Sequence, residues 1–200
     1  MSLERVEPEQ YFLPPTPYVP NSKLPILVYR NALSDTSPRN ILNIIEPNGW
    51  IQGGQWKTYK VPHFHTQCHE CYGIIKGGSN YLLGVGPKDP EVDEQGHPYG
   101  MKLTVQKGDV FVLPAGICHA SLDSWDDYEF IGLYPNGILE ATGHRFDMNY
   151  GLKSPEETTS LMRQSENVSI PPLDPLYGLD GPLPRLWSRA AKENFIGARI

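Results

Sequence analysis

Prolines interrupt every apolar run up to about residue 25, and "YVPNSKLPILVY" predicts an extended arm that becomes a first strand near Ile26 to Tyr29. From Ile41 to about Tyr134 the pattern changes to short apolar runs separated by turn residues: "ILNII", "QWKTYKV", "CYGIIKG", "NYLLGVG", "KLTVQ", "DVFVLP" and "YEFIGLY". Runs of this length and spacing predict the strands of an all-β barrel or sandwich. Between Gly84 and Gly100 the polar "GVGPKDPEVDEQGHPYG" is too rich in Pro and Gly for a helix and predicts an exposed loop. Past Gly143, Ser154-Pro155-Glu156-Glu157 offers an N-cap, a first-turn proline and a capping-box glutamate for a short helix through about Gln164. The stretch "IPPLDPLYGLDGPLPRLW" reads as neither regular helix nor central strand, but its leucines, Tyr177 and Trp187 imply that it packs on something. The resulting organisation is one domain: an arm and first strand over 1–40, a barrel over 41–145, and a helix with a Pro-rich tail over 146–200.

Composition narrows the class. Glycine and proline number 19 and 20 of 200 residues and only 20% of the chain is charged, which suits many short strands and turns. A net charge of −6 without a dense Lys/Arg cluster argues against nucleic acid or an anionic membrane as partner and favours a small molecule. No run approaches a membrane span, and the segment Met1 to Tyr11 is acidic where a signal peptide would be basic, so a cytoplasmic protein is expected. The final Ala198-Arg199-Ile200 is only loosely like a peroxisomal address. Cys68, Cys71 and Cys118 are an odd count, read as free thiols packed in the wall. Cys68 and Cys71 also look like half a zinc knuckle, which lacks its second pair.

Candidate chemistry lies in "HFHTQCHE". His63 and His65 are two apart in a segment suited to a strand, so alternation puts both imidazoles on one face, and Glu70 can return to the same cavity after a bulge or turn. In "GDVFVLPAGICHA" the Pro114–Gly116 turn would present His119 on the next strand. Three imidazoles and a carboxylate leave two positions of an octahedral ion open and suit one divalent transition metal, iron first, with Mn, Ni, Co or Zn as alternatives.

With these residues in place the sequence resembles the cupin superfamily. His63, His65, Glu70 and Gly77 match the spacing of the first cupin motif, and Gly108, Pro114, Gly116 and His119 match the second. Lys57 and Asp123 stand where the motifs have Gly and Asn, and neither change removes a ligand. Outside the motifs, "VPNSKLPILVY", "NGW", "LYPNG" and "DPLYGLDGPLPRLW" are similar to small, largely uncharacterised single-barrel cupins of bacteria and fungi. The resemblance implies a jelly-roll (double-stranded β-helix) barrel, the four ligands, dimerisation and no settled reaction.

Parity aims Tyr59 and Val61, with His63 and His65, and Tyr72 and Ile74, with Glu70, toward the cavity, where they serve equally as barrel packing. Glu70, Tyr72 and His69 are the catalytic candidates. His69 takes a role at the rim or behind the ligands, since using it as ligand would turn Glu70 away. His97 and His144 read as loop histidines, Trp50, Trp56 and Trp125 as core or dimer contacts, and Asp123 as a turn residue. The leading function is a metal-dependent enzyme on a small organic metabolite, of Fe(II) oxygenase type. Alternatives are a non-redox isomerase, cyclase, decarboxylase or dehydratase, and a ligand-binding barrel without catalysis.

Overall fold

The computed structural model describes residues 5–137 and 146–197; His144, Gly143 and the C-terminal tripeptide lie outside the described residues. Strands β1 (Glu9–Leu13), β2 (Ser22–Tyr29), β3 (Trp50–Trp56), β4 (Glu70–Leu83), β5 (Met101–Gln106), β6 (Val110–Leu113) and β7 (His119–Pro135) form one antiparallel sheet. Its order is β1-β2-β6-β4-β7-β3, with β5 also paired to β4. The long strands β4 and β7 run side by side from Cys71↔Leu133 to Leu83↔His119, with register shifts along the way. The first part of β4 pairs with β6 and the second with β5, so this one strand serves both ends of the barrel wall.

Strand periodicity divides the core in two. Leu27, Tyr29, Cys71, Val110, Val112, Ile131 and Leu133 face one way, into a cluster shared with the helices. Their neighbours Ile26, Val28, Tyr72, Phe111, Leu113 and Phe130 face the other way, into the barrel interior. Both faces of β6, of β2 from Pro25 to Tyr29 and of the start of β4 from Glu70 to Ile74 are therefore buried, which is why those segments lack a polar–apolar alternation. Cys68, Cys71 and Cys118 are free and buried, as the odd count suggested.

Several expectations need correction. "ILNII" belongs to a helix, α1 (Pro38–Ile45), with Pro38 in its first turn and Ile41 and Ile45, four apart, buried on one face. The strand begun at Trp50 ends at Trp56, so "KTYKV" is irregular chain. Helix α2 (Pro155–Glu166) has the expected capping box between Ser154 and Glu157. The tail contains a second helix, α3 (Pro182–Gly197), where proline was read as excluding one. Pro182 opens the helix, a position where its missing N–H costs nothing. Buried Asp174 accepts the Leu183 N–H at 3.0 Å, the Tyr29 hydroxyl at 2.5 Å and the amides of Leu176 and Tyr177, fixing the tail to β2. Trp187 completes the attachment by donating from Nε1 to Pro25 O at 2.9 Å.

Candidate metal centre

The four residues singled out by spacing meet at the interior end of the barrel. Glu70 is the first residue of β4 and His119 the first of β7. His63 and His65 lie on a loop held by backbone bonds to the Pro114–His119 turn: His63 and His119 exchange N–H···O bonds at 3.3 and 2.9 Å, and Gly116 N donates to His65 O at 2.7 Å. Only isolated bridges form there, where a continuous strand was expected, yet His63 and His65 still project to the same side. The turn requires Gly116, which has φ +92° and whose β-carbon would run into Asn21 O.

Each imidazole is oriented through Nδ1. His63 donates to Val61 O at 2.9 Å, His65 to Asp147 O at 2.5 Å and His119 to Ile117 O at 3.0 Å. Nε2 of each ring is thereby left as the lone-pair nitrogen. One ring nitrogen from each of the three histidines lies within 4.8 Å of the others. Glu70 Oε2 sits 3.3 Å from His119 Nε2 and 3.5 Å from His65 Nε2, is buried, and has no hydrogen-bond donor. Its other oxygen, Oε1, accepts the Tyr134 hydroxyl at 2.5 Å. Three imidazole lone pairs facing an unsatisfied carboxylate oxygen in a desolvated space repel one another unless a cation lies among them. This donor set fits a divalent transition ion, and its outer contacts orient the ligands as metal sites require.

The electrostatics agree. Burial, helped by His119 and His65 nearby, pushes His63 down to about 3 and keeps it neutral. Burial would also lower His65, but the Glu70 carboxylate beside it outweighs this and raises it. Burial would raise Glu70; the neighbouring His119 and His65 outweigh that and hold it well below the usual carboxylate range. Tyr72 is pushed well above the ordinary phenol value by burial and then by the Glu70 charge, so its proton stays on.

A pocket of about 310 Å³ opens on His63, His65 and Glu70, walled by Trp56, Tyr59, Tyr72, Phe130, Tyr134, Phe146 and Met148, with Lys57 and Thr58 also in its lining. Tyr72 holds His119 Nε2 through its hydroxyl at 3.1 Å. Tyr59 meets His63 edge-on at 4.9 Å. Val61, expected to face the cavity, is 47% exposed because its carbonyl turns in to His63. Ile74 lies deeper, in the interior cluster.

His69 is the clearest correction. It does not line the pocket: its ring packs on Trp187 at 4.7 Å, Nδ1 accepts the Ala115 N–H and Nε2 bonds Ser169 O. It is a satisfied core histidine that joins β4 to the tail. Asp123 pairs with Asn80 and not with a ligand. Trp50 is buried in the helix-side core, Trp56 belongs to the pocket wall, and Trp125 is partly exposed. His97 is a loop histidine beside Asp93. Missed from the sequence were Tyr134, clamped on Glu70 64 positions away, and the segment of Phe146 and Asp147, whose contacts with the ligand loop span about eighty positions.

Both motifs converge on one end of a jelly-roll wall. That arrangement is the one the resemblance to cupins implies. No protein-family model matches the chain. An uncharacterized protein of Bacillus subtilis (strain 168), YjlB, is 29% identical over 182 residues, covering 90% of this chain and 97% of that protein. Among solved structures, L-ribose isomerase from Cellulomonas parahominis is similar with a TM-score of 0.37 and 16% identity, covering 68% of this chain and 73% of that one. A salicylate 1,2-dioxygenase from Pseudaminobacter salicylatoxidans gives a TM-score of 0.32 and 12% identity over 64% of this chain, which spans about a quarter (25%) of the dioxygenase's length. No helix of the described residues is long and apolar enough to cross a membrane.

Proposed function

We propose that this chain is a metal-dependent enzyme acting on a small organic molecule, of Fe(II) oxygenase type, with His63, His65, Glu70 and His119 holding the ion. The observation that carries the proposal is the buried, unpartnered Glu70 Oε2 facing imidazoles whose Nδ1 atoms are already committed to backbone carbonyls, at the floor of an aromatic pocket. When bound, a redox-active divalent ion would supply Lewis acidity and an electron source for dioxygen.

The remaining work falls to the chain. Trp56, Tyr59, Phe130, Phe146 and Met148 would hold the apolar body of a substrate and keep water out. The Tyr72 hydroxyl loses its acceptor once His119 Nε2 is engaged elsewhere, and it is then a protonated donor in the pocket for a substrate oxygen. It orients and donates; with a raised pKa it is not a base. Tyr134 fixes Glu70, which favours a steady ligand over a carboxylate that swings away to take a proton.

Elemental analysis of freshly purified protein beside His63→Ala and His119→Ala, followed by oxygen-uptake measurements with iron restored, tests this. Near-stoichiometric iron lost in both variants, with substrate-dependent oxygen uptake, is expected. Full turnover with zinc under anaerobic conditions would overturn the oxygenase reading, and failure to bind any divalent metal after reconstitution would overturn the metal site.

A further inference from the structure

The three histidines obtain their orientation from different places. His63 and His119 each donate Nδ1–H to the carbonyl two residues earlier, Val61 O and Ile117 O, so their own loops set them. His65 depends on Asp147 O, 82 positions further along the chain. We infer that Asp147 is the positioning residue for His65, through which the segment 146–149 joins the pocket wall to the metal ligands; the role in metal binding rests on the function proposed above.

The Asp147 carboxylate is spent almost wholly on the ligand loop. Oδ2 accepts from Thr66 N at 2.8 Å, Thr66 Oγ1 at 2.7 Å and Asn149 Nδ2 at 2.7 Å, and Oδ1 accepts from Gln67 N at 3.1 Å. Asn149 and Phe64 exchange backbone bonds at 2.8 and 3.0 Å. These contacts fix where Asp147 O lies, and so which nitrogen of His65 carries the proton and where the ring points. Alternation along the extended segment does the rest: Phe146 and Met148 line the pocket, while Asp147 and Asn149 grip the loop. Phe146 stacks on Tyr134 with centroids 3.8 Å apart, and Tyr134 donates to Glu70, so the same segment also bears on a second ligand.

The test uses the full chain with cobalt(II) alone as probe, and ¹⁵N-histidine NMR of the metal-free protein. Asp147→Ala should weaken cobalt binding about 10- to 100-fold, change the cobalt visible spectrum, and abolish the exchange-protected His65 Nδ1–H signal while those of His63 and His119 persist. Asp147→Asn, which keeps a carbonyl acceptor, should restore part of each effect. Thr66→Val, which removes one hydroxyl donor from the latch, should weaken cobalt binding by a few fold and serves if Asp147→Ala does not fold. Ser154→Ala, which loses a remote helix cap, should lower stability without touching cobalt affinity or the His65 signal. Unchanged affinity, spectrum and His65 signal in Asp147→Ala would overturn the inference. If wild type binds no cobalt, the metal reading fails, and the His65 signal alone still decides whether Asp147 positions the ring.

Discussion

Replacing Tyr134 by Phe removes a single oxygen from the wall of the site. That oxygen donates to Glu70 Oε1 at 2.5 Å, and Oε2 has no donor, so the variant leaves a buried carboxylate without a hydrogen bond on either oxygen. A hydrogen bond to a charged group is worth about 1.5–3 kcal/mol, and about 1 kcal/mol moves the Tm of a domain of this size by about 2–4 °C. Metal-free Tyr134→Phe should therefore melt about 3–12 °C below wild type at pH 7. The deficit also has a pH signature. Glu70 is held below its ordinary value, so its stabilising contribution is present at neutral pH and is lost as pH falls through its folded value. Loss of the Tyr134 donor raises that folded value. The gap between the two proteins is then full at neutral pH and narrows in acid, as Glu70 takes up its proton first in the variant. Thermal melts of chelator-treated wild type and variant from neutral pH into the acid range measure it directly. A Tm difference under about 1 °C at pH 7, or a difference that does not narrow in acid, would refute the reasoning.

Other consequences can be checked with the same protein. His69→Ala should cost about 2–4 kcal/mol through the lost Trp187 contact and backbone bonds yet leave metal affinity unchanged; a parallel loss of metal would return His69 to the site. In acid solution metal binding should release a proton, because His65, which burial lowers but Glu70 raises further, takes up a proton on Nε2 as pH falls and must give it up to become a ligand. Affinity then falls as pH falls, and calorimetry in buffers of different ionisation heat reads the proton; identical heats would contradict it. Asp174→Ala should lower stability by at least about 3 kcal/mol in urea titrations, since three backbone amides, two of them buried, and the Tyr29 hydroxyl lose a charged acceptor. A cost below about 1 kcal/mol would show that the tail is held without the Asp174 bonds.

The convergence of the four candidate ligands was legible because their chemistry is carried by spacing. His63 and His65 share parity, Glu70 opens a strand, and the Pro114–Gly116 turn delivers His119, all of it local. Helix α1 was not legible, because five apolar or amide residues in a row fit either period, and only Ile41 and Ile45 packing under the sheet decide between them. Helix α3 was missed because Pro182 and Pro184 were read as breakers, when a proline at a helix start is neutral. His69 looked functional by its neighbours in sequence, while its surroundings are set by Trp187. Asp147 had no local signal: of the four hydrogen bonds its carboxylate accepts, three come from residues about eighty positions earlier, and no periodicity reports such a pairing.

The anchoring of the tail on β2 sets a schedule for the nascent chain. Pro25 and Trp187 are 162 positions apart, and Tyr29 and Asp174 are 145 apart. At ribosomal speeds of roughly 5–20 residues per second, β2 waits on the order of 8–32 s for the partners that cover it. Strand β2, among the first to leave the ribosome, is among the last to be enclosed. Such non-local closure slows folding and keeps the apolar face of β2 open to other chains meanwhile. A holding chaperone during synthesis, or growth at lower temperature, should therefore raise soluble yield more than any change in the barrel itself.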